Sequence, residues 1–250
     1  MSARGAGGAS ASSRREAGGP VAHGPEGHAG FSRMSEAEAI RALYIDFEGQ
    51  RDRLPVLLGV LRRRGKGDEP RVFQTVVDPL FEPAGPDARP LLEAIEIVVR
   101  RAERKDRRIV AWSEHELELV RGLHDLDPGL VARFEQRYAN ALGVARRWAA
   151  RFHPESKPPN GHLRDYLDLV GYDLPADAAA GHVGDTIRAM RPTLSKGRPL
   201  TDLQRSRWAR LLEHNRHDCA GMREVCLRAT RELDGADRSR RRDRKRSKRG

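Results

Sequence analysis

Three strand-like runs, ALYIDFEG, LPVLLGVLRRR and PRVFQTVVDP, follow one another between residues 42 and 79, separated by charged or Gly-containing turns. Runs spaced in this way predict an antiparallel meander. In PLLEAIEIVVRRAERK, residues 90–105, Leu91, Leu92, Ile95, Val98 and Val99 recur at helical spacing after Pro90. DRRIVAWS has the pattern of a fourth strand, and EHELELVRGL that of the helix leaving it. Three strands, a helix and a strand predict an α/β fold: a mixed sheet, meander plus parallel strand, flanked by helices. From about residue 128 the chain is expected to be mainly helical, interrupted by the Pro-rich FHPESKPPNG at 152–161. A last long helix, about 202–234, aligns Trp208, Leu211, Leu212, Asn215, Cys219, Met222, Cys226, Ala229 and Leu233 at three- and four-residue steps. Asp218 borders that stripe.

The first strand carries the chemistry. Leu43, Ile45 and Phe47 alternate with Tyr44, Asp46 and Glu48, so the two carboxylates share a face at a spacing of roughly 7 Å. The first strand of a meander becomes central once a parallel strand joins beside it, and both faces of a central strand are covered. A carboxylate pair there is costly to desolvate unless a cation compensates. A solvated strand face is the bland alternative for a lone Asp-x-Glu.

The net charge is +11, which points to a polyanionic partner. Its distribution is uneven: residues 1–33 carry +2 and residues 238–250 carry +8, leaving +1 for the rest. The first 34 residues are rich in Gly, Ala and Ser and nearly devoid of large apolar side chains, so this segment is expected to be a disordered tail. RSRRRDRKRSKRG, residues 238–250, is a like-charge block expected to be disordered until it meets an anion, leaving one domain at 35–237. No apolar run is long enough for a bilayer or a signal peptide, so a soluble, cytoplasmic protein is expected. Cys219 and Cys226 lie two helical turns apart, about 10 Å, and are expected to be reduced packing residues.

YIDFEG resembles the first motif of the DEDD-type 3′–5′ exonucleases of the ribonuclease H-like superfamily, and LLEHNRHDCAGMREV resembles their third. The nearest pattern is that of bacterial ribonuclease H-like nucleases whose third motif is Tyr-Asn-x-x-Asp-Cys. His214, Asn215, Asp218 and Cys219 fill it, with His in place of Tyr. RIVAWSEHELELV is similar to the segment carrying the second motif, and GHLRDYLDLVGYDLP to the short helix preceding the third, so the resemblance spans roughly 42–232. It implies a ribonuclease H-like sheet and a metal-dependent phosphodiesterase, a 3′–5′ exonuclease acting on single-stranded DNA or RNA and releasing 5′-monophosphates. It also implies that Asp46, Glu48 and Asp218 hold one Mg²⁺ or Mn²⁺, and that Asp46 shares a second with Glu116. His214 would orient or deprotonate the attacking water. Arg240, Arg241, Arg242, Arg244, Lys245 and Arg246 of the basic block are the candidate nucleic-acid contacts.

The second motif departs from the family, which usually offers an Asp where this chain has Glu114 or Glu116, and Asn140 further on. Ser113-Glu114-His115-Glu116 also fits a capping box, with Ser113 as N-cap and Glu116 reaching back. A nucleic-acid-binding module of the same fold with weak or no chemistry is therefore the alternative function. A helical scaffold recruited only by its basic tail is a third. His217 is expected to be a phosphate contact or plain surface, and Trp112 and Trp208 core rather than base-stacking platforms.

Overall fold

The computed structural model of the chain describes residues 33–50, 52–63, 67–85, 87–156, 158, 160–175 and 183–247. The expected N-terminal tail lies outside the described residues as far as residue 32, as do 248–250 of the basic block. Met34, assigned to that tail from composition, is instead buried in the core.

Helix α1 (Glu36–Arg41) starts behind a reciprocal Ser35–Glu38 capping box and leads into β1 (Leu43–Glu48). The expected meander follows as β2 (Leu57–Arg62) and β3 (Arg71–Val76). Next come α2 (Leu91–Arg104), β4 (Ile109–Ala111), α3 (His115–Arg121) and α4 (Pro128–Arg137). The helical half contains one departure from expectation, β5 (Tyr138–Asn140), before α5 (Ala141–Phe152), α6 (Leu163–Val170), α7 (Val183–Leu194) and α8 (Asp202–Ser247).

The sheet order is β3-β2-β1-β4-β5. β1 pairs antiparallel with β2 and parallel with β4, β2 pairs antiparallel with β3, and β5 adds a parallel edge to β4. This is the mixed α/β sheet foreseen from the strand order, with β1 at its centre. Alternation sorts the strand residues between two cores. Leu43, Ile45, Leu58 and Val60 pack on Ile95, Val98 and Val99 of α2. Tyr44, Leu61 and Val110 face Cys219, Met222 and Cys226 of α8, with Trp148 of α5 and Tyr166 of α6. A third cluster joins Val56, Leu57 and Phe81 to Ile187 of α7 and Trp208 of α8. Burying that much apolar surface between layers drives the arrangement. Both cysteines are free and buried.

Helix α8 does not end near residue 234; it continues to Ser247 through most of the block expected to be disordered until it meets an anion. Extending an existing helix needs no new nucleus, and Arg and Lys are good helix formers. No described helix is long and apolar enough to cross a membrane.

Candidate metal centre

The strand period brings Asp46 and Glu48 to the α8 face of β1, at the carboxyl ends of the parallel strands, where open α/β sheets place their ligand crevices. Helix α8 crosses that face because Gly59, paired with Asp46 on β2, has no side chain. A Cβ at Gly59 would lie 2.2 Å from Asn215 Oδ1. The fully buried Asn215 uses the space gained. Its Nδ2 donates to Asp46 Oδ2 at 2.8 Å and to the Asp46 carbonyl at 3.2 Å. Gln74 on β3 donates to Asn215 Oδ1 at 3.1 Å and to the Leu212 carbonyl at 2.6 Å, which fixes the orientation of the Asn215 amide.

One turn of α8 separates His214 from Asp218, so both face the acid pair. His214 Nε2 lies 3.5 Å from Asp218 Oδ2 and 3.7 Å from Glu48 Oε1. Donor atoms of Glu48, His214 and Asp218 all lie within 4.8 Å of one another. Asp46 stands beside this group with one oxygen committed to Asn215. Glu48 is buried, and its Oε1 has no hydrogen-bond partner among the described residues.

Glu116 is brought to the same end of the sheet by the turn after β4. It is buried, and it lies outside the group of donor atoms formed by Glu48, His214 and Asp218. Ser113 Oγ donates to its Oε2 at 3.4 Å, and its carboxylate is further stabilised by the backbone N–H groups of Glu116 itself and of Ser113. The helix start nevertheless differs from the expected box: Glu114 occupies the N-cap, and Ser113 Oγ accepts from His115 N at 3.3 Å. The negative charge of Asp46 also reaches Glu116. Glu114 is exposed, and Asn140 caps α5 through Gly143 N at 3.1 Å. The short polar side chain at position 140 therefore serves the helix start.

The electrostatics are those of four carboxyl groups crowded together at one end of the sheet. Burial, and then the charge of Asp46, push Asp218 up to about 8 and Glu116 up to about 7. Glu48 is held well above the usual carboxylate range by burial, then by Asp46 and Asp218. Asp46 is raised by burial and partly brought back by the Asn215 hydrogen bond and by His214. Carboxyls so placed either keep protons or accept a cation.

His217 is half-buried, with its Nδ1 2.9 Å from the Tyr172 hydroxyl. Trp112 donates to the Gly161 carbonyl at 2.7 Å and packs edge-on against Tyr166, while Trp208 stacks on Phe81; both are packing residues. Arg240, Arg241, Arg242 and Arg244 are exposed on α8, on the order of 30 Å along the helix from Asp218. The side chains of Lys245 and Arg246 lie outside the described residues. Sequence reasoning missed Gln74 and Gly59. A polar residue and a glycine at directly paired positions of the meander were the available signal.

In comparison with known proteins, no family model, curated protein or solved structure matches the chain.

Proposed function

We propose that the chain is a divalent-metal-dependent nuclease, a 3′–5′ exonuclease on single-stranded DNA or RNA that releases 5′-monophosphates. The observation that carries this reading is Glu48, buried with an unpartnered carboxylate oxygen in reach of His214 and Asp218. A hard divalent cation, Mg²⁺ or Mn²⁺, would be held by the carboxylate oxygens of that group, with the His214 imidazole beside them. The meander, helix and parallel strand around it are the arrangement that the ribonuclease H-like resemblance implies.

Glu48 and Asp218, with Asp46 and Glu116 beside them, would hold the metal. Once bound, it supplies a water of lowered pKa and charge stabilisation for the leaving 3′ oxygen. The protein does the rest. Gln74 holds Asn215, and Asn215 holds Asp46, so the carboxylate facing the cluster is oriented before substrate arrives. His214, 3.7 Å from Glu48 Oε1 and 3.5 Å from Asp218 Oδ2, would take the proton of the attacking water.

The test is incubation of 5′-labelled single-stranded DNA and RNA with Mn²⁺, with and without chelator. A ladder shortened from the 3′ end, abolished by chelator, is expected; intact substrate in Mn²⁺ overturns the proposal. The tie of Glu116 to Ser113 favours the second reading, a binding module with weak chemistry, which predicts oligonucleotide binding without a ladder.

A further inference from the structure

The charge that the metal centre does not use is concentrated at the other end of β1. Two adjoining clefts open there. One, of about 320 Å³, is lined by Arg41, Arg63, Lys105, Arg107 and Arg223. The second, of about 430 Å³, shares Arg63, Lys105 and Arg107 and adds Arg62, Arg101 and Arg104. Leu61 in the first belongs to the α8 core and Leu43 in the second to the α2 core, so the pair straddles the end of the sheet. Among the described residues no Asp or Glu lines either cleft.

These cations converge from the end of α1, the end of β2, the last turn of α2, the approach to β4, and α8. Their neighbours differ. In the adjoining cleft near β4 and β5, which Arg41 and Arg107 also line, Arg108 is paired with Glu38 at 3.0 Å and Arg137 with Asp106 at 3.1 Å. In the two clefts Arg223 is paired with Glu224 at 2.6 Å, and Arg107 turns one N–H to the Arg63 carbonyl at 3.5 Å. Arg63 Nε is buried with no hydrogen-bond partner among the described residues. Burial first, and neighbouring cations second, hold Arg107 and Arg101 below the usual guanidinium range, the neighbours being Arg41 for Arg107 and Arg104 and Arg89 for Arg101. Guanidinium groups do not relieve the repulsion of such neighbours by losing a proton near neutrality; an anion relieves it.

We infer that the two clefts form a second site, which binds backbone phosphates of a nucleic-acid strand away from the proposed reaction centre. The choice of nucleic acid among polyanions rests on the proposed function; the site itself rests on the charge. Five residue steps separate the ends of β1, about 17 Å at the strand rise. A stacked strand, at about 3.4 Å for each nucleotide, needs more than about five nucleotides to reach both.

The experiment uses the full chain and a labelled 20-nucleotide single strand in chelator, read by fluorescence anisotropy. The variant Arg41→Gln, Arg104→Gln, Lys105→Gln changes exposed side chains, and Arg101→Gln provides an independent probe of the second cleft. The triple variant should bind about 10-fold more weakly at low salt, with the slope of log affinity against log salt shallower by about 2, as for three lost phosphate contacts. Arg101→Gln should shift both in the same direction. With Mn²⁺, cleavage of a tetranucleotide should be equal in wild type and variants. Unchanged affinity and slope for the 20-mer overturn the inference, as does a variant that loses binding to anionic lipid vesicles while keeping the oligonucleotide. Absence of hydrolysis in the wild type overturns the proposed function alone, because the binding measurement needs no turnover.

Discussion

At its carboxyl end β1 delivers Asp46 and Glu48 into a site covered by α8, while at its amino end the same strand emerges among Arg41, Arg62, Arg63 and Arg107. The two ends hold opposite charge under different constraints. The acids are largely buried and titrate upward, so protons or a metal can relieve their repulsion. The arginines cannot discharge, and several of them are half-buried in their clefts, so water screens them only in part. A buried, proton-exchanging cluster is suited to chemistry, whereas a partly screened, permanently charged one is suited to holding a polyanion. The near-neutral net charge of the central region conceals this polarity, because charges of both signs throughout it cancel in the sum.

The sharpest way to break the comparison is to remove the acid end. The double variant Asp46→Asn, Asp218→Asn should weaken Mn²⁺ binding by more than the roughly 10–100-fold usual for an outer partner. Calorimetry checks it, and undiminished heat would dissolve the distinction between the ends. His214→Ala should lower turnover by about 10²-fold or more, the usual scale for a lost general base, with KM little changed; steady-state kinetics separate the two parameters. Gln74→Leu, which frees the Asn215 amide, should cost about 10-fold in Mn²⁺ affinity and leave oligonucleotide binding at the basic end intact.

A smaller effect concerns protons. Asp218 at about 8 and Glu116 at about 7 are raised above unfolded values near 4. Their protonated forms therefore support the metal-free fold fully below about pH 4, and that support is lost as pH rises through 7 and 8. Metal-free protein should melt at least about 2–4 °C lower at pH 8.5 than at pH 5.5, the equivalent of about 1 kcal/mol. Mn²⁺ or Asp218→Asn should shrink the difference, and scanning calorimetry at both pH values tests the sign. The least effect is expected far from both ends. Neutralising Arg240, Arg241, Arg242 and Arg244 should make the salt dependence of oligonucleotide binding shallower and leave turnover at saturating substrate unaltered.

Local pattern was enough to establish the meander, the helix over 91–104, the parallel strand after it, and the shared face of Asp46 and Glu48. These are properties of neighbours in sequence: period two on a strand, period 3.6 on a helix. The same periods placed His214, Asn215 and Asp218 on one side of α8. A strand of three residues, such as β5, is too short to display a period, and a charged helix without an apolar stripe, such as the end of α8, is indistinguishable by pattern from a tail. Tertiary structure alone decided the rest. Gly59 and Gln74 matter because α8 is laid across the meander, and the basic clefts assemble from residues 41, 62–63, 101–107 and 223. Neither is a property of any segment; both arise because burying apolar surface forces distant segments together and carries their polar and charged groups with them.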